Sequence, residues 1–208
     1  MIHTVIFDLS EVIIAGVVGV DQALAPVLNV PPEQIFPSLG GRPFWELLCG
    51  EIDEETYFRK VLDRRGWTGD IDSIKKAIRS NFHNEVEGTR EVLEGLAQEY
   101  RLILLSDHAR EWIEYIEQIH PILELFDRRF YSFDLGSIKK DPDTFRKVLS
   151  AIDCTPDEVL FIDDQIRYVE TAQSVGIQSI VFQSAPQLIS ELSTILSCPL
   201  SSYTGGEG

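Results

Sequence analysis

Short runs of mostly apolar, β-forming residues recur along this chain, each separated from the next by a segment with helical spacing. Thr4–Phe7 stops at Asp8. Leu102–Leu105 runs into Ser106 and Asp107, and Arg129–Phe133 is followed by a loop carrying Lys139. Val159–Ile162 stops at Asp163 and Asp164, and Gln178–Phe182 is the fifth run. Strands that are apolar nearly throughout, rather than alternating, must be covered on both faces, and the helices between them supply the cover. The pattern predicts an α/β fold with a doubly wound, five-stranded parallel sheet. One intervening helix has a clear start at Asp141-Pro142, an N-cap acid before a proline whose missing N–H is not needed in the first turn.

Residues 16–86 break this rhythm. They hold amphipathic helical segments around 21–28, 32–38, 43–49, 54–64 and 72–82, and no strand pattern. The expected organisation is an α/β core of 1–15 and 87–200, an inserted helical cap of 16–86 and a flexible polar tail of 201–208. The longest apolar run, Val12–Val20, falls well short of the ~20 residues that cross a bilayer. Met1-Ile2-His3-Thr4 lacks the basic region of a secretory signal. Cys49, Cys154 and Cys198 are widely separated with no CxxC pair, which points to neither a zinc site nor a disulfide framework. A cytoplasmic, reduced protein without a membrane partner is the expectation; the sequence leaves the oligomeric state open.

Charge narrows the partners. Eighteen bases against 34 acids leave a formal net charge of −16, which repels phosphate backbones and excludes general nucleic-acid binding. The stretch Arg128–Lys147 is locally basic and suits a small anion instead.

In an open parallel sheet, ligands bind beyond the carboxyl ends of the strands. Asp8, Ser106, Lys139 and the pair Asp163-Asp164 all fall at or just after such ends. This set fits phosphoryl transfer through a covalent aspartyl phosphate. A carboxylate attacking an anionic phosphate needs a bridging divalent ion, and Mg²⁺ prefers oxygen ligands such as Asp8, Asp163 and Asp164. Lys139 and Ser106 would neutralise and hydrogen-bond the phosphoryl oxygens.

Those same residues carry a family resemblance. Phe7-Asp8-Leu9-Ser10-Glu11-Val12-Ile13 resembles the first motif of the haloacid dehalogenase superfamily, and Leu104-Leu105-Ser106-Asp107 its second. Lys139-Lys140-Asp141-Pro142 resembles the third, and Phe161-Ile162-Asp163-Asp164, with Val169, Ala172 and Gly176 downstream, the fourth. The helical insert stands where the family's C1-type cap sits. The resemblance implies a nucleophile at Asp8 and Mg²⁺ held by Asp8, the Ser10 backbone carbonyl and Asp164, with Asp163 beside them. It also implies phosphoryl binding by Ser106 and Lys139. The Asp-Leu-Ser-Glu opening and the loop Cys49–Asp53 look most similar to the sugar-phosphate branch, which includes glucose-1-phosphate phosphatases. Asp107 replaces a commoner Asn-type residue at the rim, with His108 after it. Arg42, Phe44 and Trp45, after Gly40-Gly41, are candidates for a substrate-facing loop of the cap.

Ser10 departs from the family. Its phosphatases usually carry a second aspartate here, which protonates the leaving alcohol and later activates water. Serine does neither near pH 7, and such acid–base help is worth ~10²–10⁴ in rate. The expectation is a slow Mg²⁺-dependent phosphatase of a small phosphorylated metabolite. The alternative is an impaired relative with a binding or regulatory role. Metal-free dehalogenation fits less well, because the acid pair is present and Ser10 is not aromatic.

Overall fold

The structure, a computed structural model, describes residues 1–196; Cys198 and the expected tail of 201–208 lie outside them. Five parallel strands form the sheet: β1 (Thr4–Phe7), β2 (Arg101–Ser106), β3 (Arg128–Tyr131), β4 (Val159–Asp163) and β5 (Gln178–Val181). Their order is β3-β2-β1-β4-β5. The chain builds one side of β1, then crosses to the other. The reversal falls between β1 and β4, where an open sheet leaves its ligand crevice.

Side chains of a strand alternate between faces, and here each face has its own core. Val5, Phe7, Leu102, Leu104, Leu160 and Ile162 join one apolar cluster. Ile6, Ile103, Leu105, Val159 and Phe161 join a second on the opposite face. Helices α6 (Thr89–Leu96), α7 (Arg110–Ile119) and α11 (Ala185–Ile195) pack on the first cluster. Helices α9 (Pro142–Ile152) and α10 (Ile166–Ser174) pack on the second. The central strands β1, β2 and β4 are buried on both faces and so read as nearly continuously apolar, while the edge strands β3 and β5 begin exposed. At α9, the Asp141 side chain accepts from Asp143 N at 2.9 Å, the cap that the sequence implies.

Five helices stand between β1 and α6: α1 (Asp21–Leu28), α2 (Pro32–Leu39), α3 (Arg42–Leu48), α4 (Glu54–Arg65) and α5 (Ile71–Asn81). Their buried residues merge with the first cluster. The apolar run Val12–Val20 is neither strand nor helix. Glu11 turns the chain with a left-handed φ of 62°, and Ile14 then pairs with Glu85. Ala15 N donates to Asn84 O at 2.8 Å and Val86 N to Ile13 O at 2.9 Å. Both passages between the sheet and the helical block are thus tied together.

One element differs from expectation. β3 ends at Tyr131, and Ser132–Leu135 form a short helix, α8. Ser132 is fully buried, donating to Leu48 O at 2.6 Å and accepting from His108 N at 3.0 Å. These contacts bend the chain out of the ladder, and Phe133 stacks on Tyr131 with centroids 5.3 Å apart.

Candidate active site

Asp8 continues the ladder just past β1, its N–H donating to Ile162 O at 2.9 Å. That bond fixes its carboxylate at the reversal point. Lys139 enters from the loop after α8 and is 1% exposed. Its ammonium lies 2.6 Å from Asp8 Oδ1 and 2.6 Å from Asp163 Oδ2. The Lys139 N–H donates to both Asp107 oxygens at 3.1 Å, so the end of β2 holds the lysine loop. Asp163 Oδ1 accepts from Gln165 N at 2.8 Å. Asp164 accepts from the Gln165 side chain at 2.5 Å.

Four carboxylates therefore crowd one ammonium. Burial pushes Asp8 well above the usual carboxylate range; Lys139 opposes this and Asp163 adds to it. Burial likewise lifts Asp107 to about 6 against the pull of Lys139. Asp164 is raised by burial and by Asp163. Burial would lower Lys139, but Asp163, Asp8 and Asp107 together raise it, so it stays charged. The site holds more negative charge than one lysine balances. Asp8, Asp163 and Asp164 each offer an oxygen within 4.8 Å of the others. An excess of charge and an all-oxygen donor set fit a hard divalent cation.

The expected residues fall into three groups. Asp8, Ser10, Lys139 and Asp164 line one cleft of about 450 Å³, with Asp107 and Trp45 in its wall. Asp163 and Ser106 lie beneath it. Asp163 is fully buried, and its two oxygens are turned to Lys139 and Gln165. Ser106 is fully buried, and its hydroxyl has no hydrogen-bond partner. Arg42 is not part of the cleft lining. Its side chain is 89% exposed and pairs with Glu46 at 2.8 Å, because it starts α3 and Glu46 lies one turn on. The loop Cys49–Asp53 also misses the cleft; Gly50–Asp53 line a separate groove with Arg110 and Glu111.

Several wall residues escape sequence reasoning. Trp112 on α7 reads there as an ordinary core position. Val17, Val18 and Phe36 sit in apolar segments that look like core, yet Val18 and Phe36 are exposed at 55% and 47%. Arg167 lies along Tyr168, 4.7 Å from its ring centre. His108 is buried beside Phe82 and Trp112 and held neutral, burial pulling its pKa down to about 4.

The fold and the spacing of these residues match a known group. The family model of haloacid dehalogenase-like hydrolases matches residues 5–182, and the chain belongs to that family. It is similar to the D-ribitol-5-phosphate phosphatase of Bacteroides thetaiotaomicron, 24% identical over 160 residues that cover 74% of this chain and 77% of the relative. It is also similar to the pyrophosphatase PpaX of Bacillus cereus, 23% identical over 181 residues, 84% of this chain and 80% of the relative. A haloacid dehalogenase family enzyme of B. thetaiotaomicron, solved with magnesium and inorganic phosphate, superposes with a TM-score of 0.76 at 18% identity. The superposition covers 88% of this chain and 96% of that one. Among the described residues, no helix is long and apolar enough to cross a membrane.

Proposed function

We propose that this chain is a Mg²⁺-dependent phosphatase that hydrolyses a small phosphorylated metabolite through an aspartyl phosphate on Asp8. The observation that carries the reading is Lys139, clamped 2.6 Å from both Asp8 and Asp163 beside Asp164 at the sheet's reversal point. The phosphatase names of the relatives and the magnesium of the solved structure support it.

Asp8, Asp164 and the Ser10 carbonyl would hold Mg²⁺, which when bound offsets the repulsion between a carboxylate and an anionic phosphate. An Asp8 oxygen attacks phosphorus, and the bond to the leaving oxygen breaks with its electron pair on that oxygen. Water then attacks the phosphorus of the acyl phosphate, returning Asp8 as a carboxylate and releasing inorganic phosphate. Lys139 balances phosphoryl charge, and Asp163 orients Lys139 rather than binding metal directly. Asp107 positions the lysine through its backbone. The buried, unpartnered Ser106 hydroxyl suits a phosphoryl oxygen, since an unmade hydrogen bond costs ~1–3 kcal/mol. Residues 16–86 act as the cap over this site.

Ser10 lines the cleft where acid–base help is expected, and it has no group that titrates near neutrality. Turnover is accordingly slow, most so for alkyl phosphates. The same residue favours the second reading, a phosphate-binding protein that does not turn over. Phosphate release with and without Mg²⁺, together with the intact mass of the protein, tests both. Wild type should release phosphate and show the mass of a phosphorylated Asp8; Asp8→Asn should do neither. Ser10→Asp should speed alkyl phosphates and shorten the life of the phosphoenzyme. Release by Asp8→Asn at the wild-type rate would remove the nucleophile. No release and no phosphoenzyme from either wild type or Ser10→Asp would leave the binding role.

A further inference from the structure

A second space adjoins the cleft. A chamber of about 110 Å³ shares Val17, Phe36, Phe44 and Trp112 with it and is closed behind them by Leu39, Tyr57 and Ile78. The one hydroxyl there, of Tyr57, is already used, donating to Leu39 O at 2.6 Å. The chamber is smaller than the apolar cavity of ~150 Å³ that stays dry and takes up benzene, so its apolar lining suits at most one small ring.

Several polar groups of the cleft wall are already engaged. Asp107 is tied to Lys139 N, Gln165 to Asp164, and Glu11 accepts from Gly16 N at 2.8 Å. His108 is wedged edge-on between Phe82 and Trp112. A sugar hydroxyl reaching Asp107, Gln165 or Glu11 would meet a group already paired, at a desolvation cost; Ser10 and Arg167 line the cleft outside these pairs. A flat ring would instead meet Phe44, Trp45 and Trp112, which are packed against other rings and so already ordered.

Ser10 bears on the same question from the chemistry. With no acid at the leaving oxygen, departure is easiest for an oxygen of low basicity, such as a phenoxide rather than an alkoxide. Wall and missing acid select the same compound. We propose that the substrate is an aryl phosphate whose ring enters the chamber behind Phe44 and Trp112. This rests on the phosphatase reading given above. In the transfer step Asp8 takes the phosphoryl group and the phosphorus–oxygen pair leaves with the phenoxide, which takes its proton from solvent. Water then releases phosphate from Asp8.

The test compares kcat/KM of this chain with Mg²⁺ for acetyl and phenyl phosphate against glucose 1-phosphate and ribitol 5-phosphate. Acetyl phosphate has a good leaving group and no ring, so it reports the phosphatase chemistry alone. Phenyl phosphate should exceed both polyol phosphates at least tenfold. Ile78→Phe, which fills the chamber, should lower the phenyl-to-acetyl ratio at least fivefold. Calorimetry on the wild type guards against a misfolded variant: phenylphosphonate should bind at least tenfold more tightly than methylphosphonate. Polyol phosphates turned over as well as phenyl phosphate, with acetyl phosphate active, would overturn the proposal and leave the phosphatase intact. Equal binding of the two phosphonates would also overturn it. No turnover of any compound, acetyl phosphate included, would overturn the phosphatase reading and this one with it.

Discussion

Replacing Glu54 by alanine is expected to destabilise the protein by ~2–4 kcal/mol. Glu54 lies in the first turn of α4 and is 4% exposed. Its carboxylate accepts from Arg79 of α5 at 2.6 Å and from the Trp112 indole of α7 at 2.9 Å, with Lys75 at 3.6 Å. One side chain therefore joins the helical block to a helix of the sheet layer. Breaking a fully buried ion pair costs ~3–5 kcal/mol, but Arg79 and Lys75 keep some contact with water, which brings that term to ~1–2 kcal/mol. The Trp112 N–H, buried, loses its acceptor, adding ~1–2 kcal/mol. Glutamine keeps the volume and an acceptor but not the charge, so Glu54→Gln should cost only ~1–2 kcal/mol. Urea unfolding reads this directly. With a slope of ~2 kcal/mol/M, the alanine variant should unfold ~1–2 M earlier than wild type and the glutamine variant no more than ~1 M earlier. The double variant Glu54→Ala, Arg79→Ala should lose less than the sum of the two singles. An alanine variant within 1 kcal/mol of wild type, or a glutamine variant as unstable as alanine, would refute the reasoning.

Two further outcomes are expected. His108 is buried with a pKa near 4, whereas in the unfolded chain it titrates near ~6.5. The unfolded state therefore binds the proton first as pH falls. The contribution is full above pH ~6.5 and is lost towards pH 4, by up to ~3 kcal/mol; His108→Phe should flatten that slope in unfolding measurements, and an unchanged slope would rule the assignment out. Asp164→Ala should weaken Mg²⁺ binding at least tenfold by calorimetry, and equal affinity would place the ion elsewhere.

Much of this protein was legible from local pattern. β1 spans Thr4–Phe7 as expected, and the five helices of residues 16–86 fall within a residue or two of their anticipated bounds, because apolar period and capping residues are properties of neighbouring positions. Asp8 and Lys139 were legible because strand ends in a parallel sheet share one edge. The different placement of Asp163 and Asp164 was not. The two are adjacent and chemically identical, and only the position of Lys139 and Gln165 turns one inward while the other faces the cleft. The exposed place of Arg42, the bend at Ser132 and the apolar chamber belong to the same class. Leu39, Phe44, Tyr57, Ile78 and Trp112 come from five helices and are brought together by packing alone. Periodicity follows from the covalent geometry of one segment, so the sequence carries it; the shape of a cavity depends on how distant segments pack, so only the folded chain defines it.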